Sequence, residues 1–246
     1  MSRGPEGKFL PVGLLGGMGP AATVLTMALI IAATQADDDG DHIPLFVDHN
    51  PQVPSRIKAL IDGTGESVGP TLALMAKRLE TMGAQALAMP CNTAHAYTDV
   101  IREAVSIPFI SMIEATAIQL NGLMLPNRRI GMLASPAVQT ANVYGPDFAA
   151  YGLTPVFTKQ PATILEAIQR LKRNGQDPVA ADLQKKVAQD LLDQNCDVLL
   201  IACTELSLIP HAVPAGAIVQ DSLDFLIQEI CAFAQGSCPP SLTMTS

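Results

Sequence analysis

The chain has 246 residues, 48% hydrophobic and 15% charged, which is enough apolar material for one large core or two smaller ones. Fifteen Lys and Arg against 23 Asp and Glu give a net charge of -8, without the basic block that a phosphate backbone or an anionic membrane surface requires, so neither is expected as a partner. Trp is absent and aromatics are 4%, which argues against stacking surfaces for bases or sugars. The five cysteines contain no CxxC pair, so neither a disulfide framework nor a zinc knuckle fits.

The opening MSRGPEGKFLP carries Gly, Pro and Glu where a secretory signal needs an unbroken apolar run. No apolar stretch approaches the roughly 20 residues of a bilayer span, and a cytoplasmic protein is expected. A first strand at 11–15 runs into Gly16-Gly17-Met18-Gly19-Pro20. That loop lacks the GxGxxG register and the Walker lysine, and suits backbone contact with a small carboxylate, or a tight turn alone. The apolar stretch 24–33 reads as a buried helix, and the aspartates at 37–41 as a solvated acidic turn.

Further strands are expected at 43–49, 84–90, 107–112, 129–135, 196–203 and 216–221, with helices between them, notably at 69–82 and 180–194. Continuous apolar strands alternating with helices specify an α/β fold with parallel sheets covered on both faces. After the second strand, Asn50-Pro51-Gln52-Val53-Pro54-Ser55-Arg56 is held extended by its prolines. Arg56 there suits a bidentate carboxylate clamp, or a solvated helix cap.

A weak internal repeat is present. Val12-Gly13-Leu14-Leu15 matches Ile130-Gly131-Met132-Leu133, and Met89-Pro90-Cys91-Asn92-Thr93 matches Ile201-Ala202-Cys203-Thr204-Glu205 at nearly the same spacing. Two copies of one α/β unit predict two pseudo-symmetric lobes, with a cleft beyond the carboxyl ends of the strands and one cysteine on each wall. Each of these cysteines is a strand-end residue entering a turn, where a following helix would favour the thiolate; a small buried hydrophobe is the plainer reading of either alone. Cys196, Cys231 and Cys238 read as structural. His95, four residues after Cys91, could share a helix face with it as a metal or base partner, but a packed, hydrogen-bonded histidine fits better, and no metal-ligand spacing occurs elsewhere.

With these residues in place, the chain resembles the cofactor-independent aspartate/glutamate racemase superfamily, in its aspartate racemase branch. The resemblance rests on LLGGMGP at 14–20, NPQVPSR at 50–56, AKRLETMGAQALAMPCNTAH at 76–95, IPFISMIEAT at 107–116 and ACTEL at 202–206. It implies two α/β lobes, 1–112 plus 212–246 and 113–211, with the active site between them. It also implies a homodimer, no cofactor, no metal, and a small amino acid or dicarboxylate as ligand. Cys91 and Cys203 would be the catalytic pair, Cys203 acting on the L enantiomer and Cys91 on the D. Met18, Gln52, Arg56, Asn92, Thr93, Thr204 and Glu205 would bind the substrate.

Two departures stand out. Many aspartate racemases carry a lysine at the start of the helix that begins near Thr163, where this chain has Pro161-Ala162-Thr163, with Lys159 out of register. An ATTGT-like segment is replaced by Ala134-Ser135-Pro136-Ala137. One cation fewer is therefore expected around the substrate. A maleate-isomerase-like or hydantoin-racemase-like enzyme on the same scaffold, or a non-catalytic carboxylate-binding relative, are the alternatives.

Overall fold

A computed structural model describes residues 9–243. The first sheet contains β1 (Val12–Gly16), β2 (Leu45–His49), β3 (Ala86–Ala88) and β4 (Phe109–Ile110), in the order β2-β1-β3-β4 and parallel throughout. The second contains β5 (Arg129–Ala134), β6 (Thr154–Phe157), β7 (Val198–Ala202) and β8 (Val219–Asp221), in the order β6-β5-β7-β8, again parallel. Each sheet thus repeats the order second, first, third, fourth strand. Covering them are α1 (Pro20–Ala33), α2 (Gly69–Thr81), α3 (Thr98–Ala104), α4 (Met112–Asn121), α5 (Pro136–Thr140), α6 (Gly145–Ala150), α7 (Pro161–Asn174), α8 (Pro178–Asp193) and α9 (Ser222–Ala234).

The repeat extends to side-chain packing. Gly13 in β1 is in register with Leu87 of β3, and a Cβ on Gly13 would stand 2.8 Å from the Leu87 Cδ2. Gly131 in β5 is in register with Leu199 of β7, and a Cβ there would stand 2.9 Å from the Leu199 Cδ2. Each half has therefore left out a side chain at its first strand to seat a leucine from its third. That is how β3 and β7, and the cysteines after them, are set at equivalent positions.

Three expectations are revised. The strand β6 was not foreseen because Pro155 interrupts its pattern, but β6 is an edge strand, where the missing N–H breaks no ladder bond. The helix α1 is buried on one face only: Ala22, Thr23, Thr26 and Ile30 face inward, whereas Val24 is 61% and Ile31 52% exposed. Its threonines enter the core at little cost, because Thr23 and Thr26 donate back to the carbonyls of Gly19 and Ala22. Finally, β8 hydrogen-bonds to β7, so 219–221 lie in the second sheet, beyond the limit at 212 expected from the sequence. The chain rejoins the first-sheet core through Leu223, Leu226, Ile227 and Ile230 of α9, which cluster with Val12, Leu14, Ala86 and Ala88. Among the described residues no helix is long and apolar enough to cross a membrane.

Candidate active site

Segments leaving the carboxyl ends of β1, β2, β3, β5 and β7, together with α7, enclose one cavity of about 460 Å³ including its open mouth. Met18, Ser55, Arg56, Ile57, Cys91, Asn92, Thr93, Ser135, Ile168, Lys172, Cys203, Thr204 and Glu205 line it. Both repeat cysteines are therefore in the same cavity, and both are buried. Cys196, Cys231 and Cys238 are not in the lining; burial pushes the Cys196 thiol up to about 11.

On the first wall, the chain turns sharply after β3, with the Cys91 N–H donating to the Met89 carbonyl at 2.8 Å. The continuous helix expected next is instead one 3-10 turn, Thr93–Tyr97, followed by α3. His95 on that turn is 2.9 Å from the Cys91 carbonyl through Nδ1, and its Nε2 accepts the Met112 N–H at 3.1 Å. The second bond requires a bare Nε2, so Nδ1 carries the proton and donates to Cys91. Burial lowers this imidazole to about 4. It is a neutral strut that holds the Cys91 backbone against α4. Asn92 beside it accepts from the Tyr144 hydroxyl through Oδ1, while its Nδ2 is buried with no partner.

On the second wall, the Cys203 thiol donates to Glu205 Oε2 at 3.1 Å, and Glu205 Oε1 lies 3.3 Å from Lys172 Nζ. Burial, then the Glu205 charge, hold the Cys203 thiol well above its ordinary value against the opposing pull of Lys172. For Lys172 itself, burial acts to lower the ammonium and is outweighed by Glu205 together with Cys203 and Cys91, so the group stays above its ordinary range. Gly19 leaves room for this carboxylate, since a Cβ there would stand 2.9 Å from Glu205 Oε1. The Thr204 hydroxyl crosses the cleft to donate to the Pro90 carbonyl at 3.1 Å.

The loop after β1 is held by the Gly17 N–H donating to Thr23 Oγ1 at 2.8 Å. Gly17 has a φ of 89° and packs on the Asn50 backbone, where any Cβ would collide, so only glycine fits. Met18 is thereby turned inward, buried in the lining. Arg56 Nη1 donates to the carbonyls of Pro54 at 3.0 Å and Val53 at 3.3 Å, which fixes its guanidinium at the cavity. Gln52 does not join them. The Asn50 Oδ1 accepts the Gln52 N–H, closing a turn that leaves Gln52 exposed and outside the lining.

Lys172 was not foreseen. The lysine sought at the start of α7 is absent, but the last turn of the same helix supplies one, on the face that Ile164 and Ile168 define at four-residue spacing. That stripe was the available signal. Arg56 and Lys172 together restore the second cation. Among the described residues, no group of three or more His, Cys, Asp or Glu is placed to hold a metal ion.

With this geometry in hand, the chain can be set beside known proteins. Residues 15–230 match the Asp/Glu/Hydantoin racemase family, and the chain belongs to that family, a family of isomerases. It is 24% identical to the broad specificity amino-acid racemase RacX of Bacillus subtilis, over 86% of this chain and 92% of that protein. The structure superposes on the Picrophilus torridus aspartate racemase with a TM-score of 0.80 and 28% identity, covering 92% of this chain and 94% of that one. It also shares its fold with the Francisella tularensis glutamate racemase in complex with D-glutamate, with a TM-score of 0.64, 18% identity, and coverage of 92% and 81%.

Proposed function

We propose that this protein is an amino-acid racemase that needs no cofactor, acts most readily on aspartate, and inverts the α-carbon by proton transfer between Cys91 and Cys203. The observation that carries the reading is the pair of buried cysteines, set at equivalent strand ends of two repeated half-folds and lining one cavity. Inversion requires a proton to leave one face of the α-carbon and another to arrive on the opposite face, so one fixed base would mostly restore the starting enantiomer. Two walls related by the repeat meet that need.

The cavity also contains what the developing enediolate requires. The Asn92 amide, the Thr93 hydroxyl and neighbouring main-chain N–H groups would grip the α-carboxylate in a dry site, where fixed dipoles act strongly, while the Thr204 hydroxyl stays committed to the Pro90 carbonyl. Arg56 and Lys172 favour an acidic side chain, supporting aspartate, with glutamate or a broader set within reach. Cys203 rests as a thiol on Glu205, which suits it to return a proton to a carbanion generated from the Cys91 side. For Cys203 to serve as base, its proton must first leave, and Glu205 is the carboxylate bonded to it.

We further propose a cytoplasmic homodimer of two-lobed subunits. The outward side of α1, with Val24, Ala28 and Ile31 exposed on a helix that has no charged residue, supports association of two copies.

The test is proton NMR of the protein in D2O with L- and D-aspartate, glutamate and a panel of neutral amino acids. The α-proton signal is expected to disappear with inversion, aspartate fastest, and Cys91→Ser and Cys203→Ser should each abolish inversion while the protein stays folded. No exchange with any of these compounds overturns the proposal.

A further inference from the structure

We infer that Tyr144 is a positioning residue: from the second lobe it fixes the Asn92 side chain of the first lobe so that the amide nitrogen points into the cavity, as a donor for a carboxylate of the ligand. The inference rests on the carboxylate-binding part of the function proposed above.

The Tyr144 hydroxyl donates to the Asn92 Oδ1. The amide oxygen therefore faces the phenol, and Nδ2 is turned the other way. It is buried, unpartnered, and part of a side chain that lines the cavity. Native interiors leave few such donors unpaired and each calls for an explanation, which the adjoining cavity supplies here.

The surroundings of Tyr144 explain why it can hold this orientation. The ring is 1% exposed and packs against Phe148 at a centroid distance of 5.0 Å, so the hydroxyl cannot swing away. Thr116 and Ser222 stand beside the phenol and donate their own protons to the carbonyls of Met112 and Ile201. The phenol proton goes to the Asn92 Oδ1. Burial keeps the phenol protonated far into the alkaline range, so its proton is always available to the Asn92 oxygen. Without this bond the Asn92 amide is free to turn over, and the turned amide would present an oxygen to the ligand carboxylate.

Tyr144→Phe removes the hydroxyl and keeps the ring. Calorimetry with succinate, a dicarboxylate that has no amino group, is the direct readout. Tyr144→Phe should weaken succinate by about fivefold and Asn92→Ala by about tenfold, the scale of one hydrogen bond to a charged group. The double variant should bind no more weakly than Asn92→Ala, because Tyr144 acts only through Asn92. With aspartate, Tyr144→Phe should lower kcat more than it raises KM, since the amide matters most when the enediolate gathers charge. Asn92→Asp leaves the phenol an acceptor but presents an oxygen to the cavity, and should bind succinate at least as poorly as Asn92→Ala.

Wild-type affinity in Tyr144→Phe, losses that multiply in the double variant, or wild-type affinity in Asn92→Asp would each overturn the inference. The outcomes separate it from the racemase reading. A wild type that racemises alongside an unimpaired Tyr144→Phe removes only the role of Tyr144. A wild type that exchanges no α-proton, but obeys the succinate pattern, removes only the racemase.

Discussion

Lys172 and Glu205 divide the charge of the second wall between them, and their substitutions should separate substrate recognition from proton handling. Lys172→Met removes one of the two cations in the lining. Steady-state rates should show KM for aspartate rising about tenfold or more, the cost of losing a charge-assisted contact, with neutral amino acids far less affected. Glu205→Gln acts on the neighbouring thiol. Burial and the carboxylate raise Cys203 and Lys172 lowers it, so removing the carboxylate leaves burial alone against the lysine. The pH midpoint for alkylation of Cys203 by iodoacetamide, followed by mass spectrometry, should move to lower pH; an unchanged or higher midpoint would contradict this account. The cysteines and their immediate neighbours were legible in the sequence because strand ends and repeats are local patterns. Lys172 was not, because the sequence does not say which end of a helix faces a cleft. Gln52 failed for a related reason: its place depended on a side-chain-closed turn at Asn50, which pattern alone does not reveal.

At the level of elements, the two half-folds hang on one packing device, a glycine in the first strand that admits a leucine from the third. Gly13→Ala and Gly131→Ala should each destabilise the fold by about 1–3 kcal/mol, the usual cost of overpacking a filled core. The two losses should be alike, because the contacts are alike, at 2.8 and 2.9 Å. Gly40, with nothing within 4 Å of a Cβ, is the control, and its alanine variant should stay within about 0.5 kcal/mol of wild type. Urea denaturation reads all three. Sequence periodicity located the apolar strands well, since strands buried on both faces are short unbroken runs. It missed β6 because a proline at an edge looks the same as a proline in a loop until the neighbours are known. It also gave α1 as wholly buried, since an apolar helix is compatible with a protein core or with a surface meant for another molecule.

For the whole molecule, that exposed side of α1 is the surface on which the proposed homodimer rests. The proposed homodimer predicts that Val24→Glu and Ile31→Glu together convert a dimer to a monomer in sedimentation, because two carboxylates from each subunit would have to be desolvated at the contact. A wild type that sediments as a monomer would remove the dimer. Such a change should leave the cavity residues folded, since the inward face of α1, through Ala22, Thr23, Thr26 and Ile30, is untouched.

The repeat is not perfect, and its flaw has a kinetic meaning. Two residues after one cysteine stands Thr93, and two after the other stands Glu205, so only one thiol has a carboxylate to donate to. On the proposed chemistry, the free protein exists in two forms that differ only in which sulfur holds the proton, and Glu205 favours the form with the proton on Cys203. A turnover that begins with Cys203 as base ends in that favoured form, and the molecule must climb back before it can repeat the step. A turnover in the other direction ends in the disfavoured form and relaxes downhill. The equilibrium between enantiomers fixes equal kcat/KM for both, so the asymmetry appears elsewhere: the enantiomer served by Cys203 saturates at a lower kcat with a proportionally lower KM, as though the catalyst remembered which way it last worked.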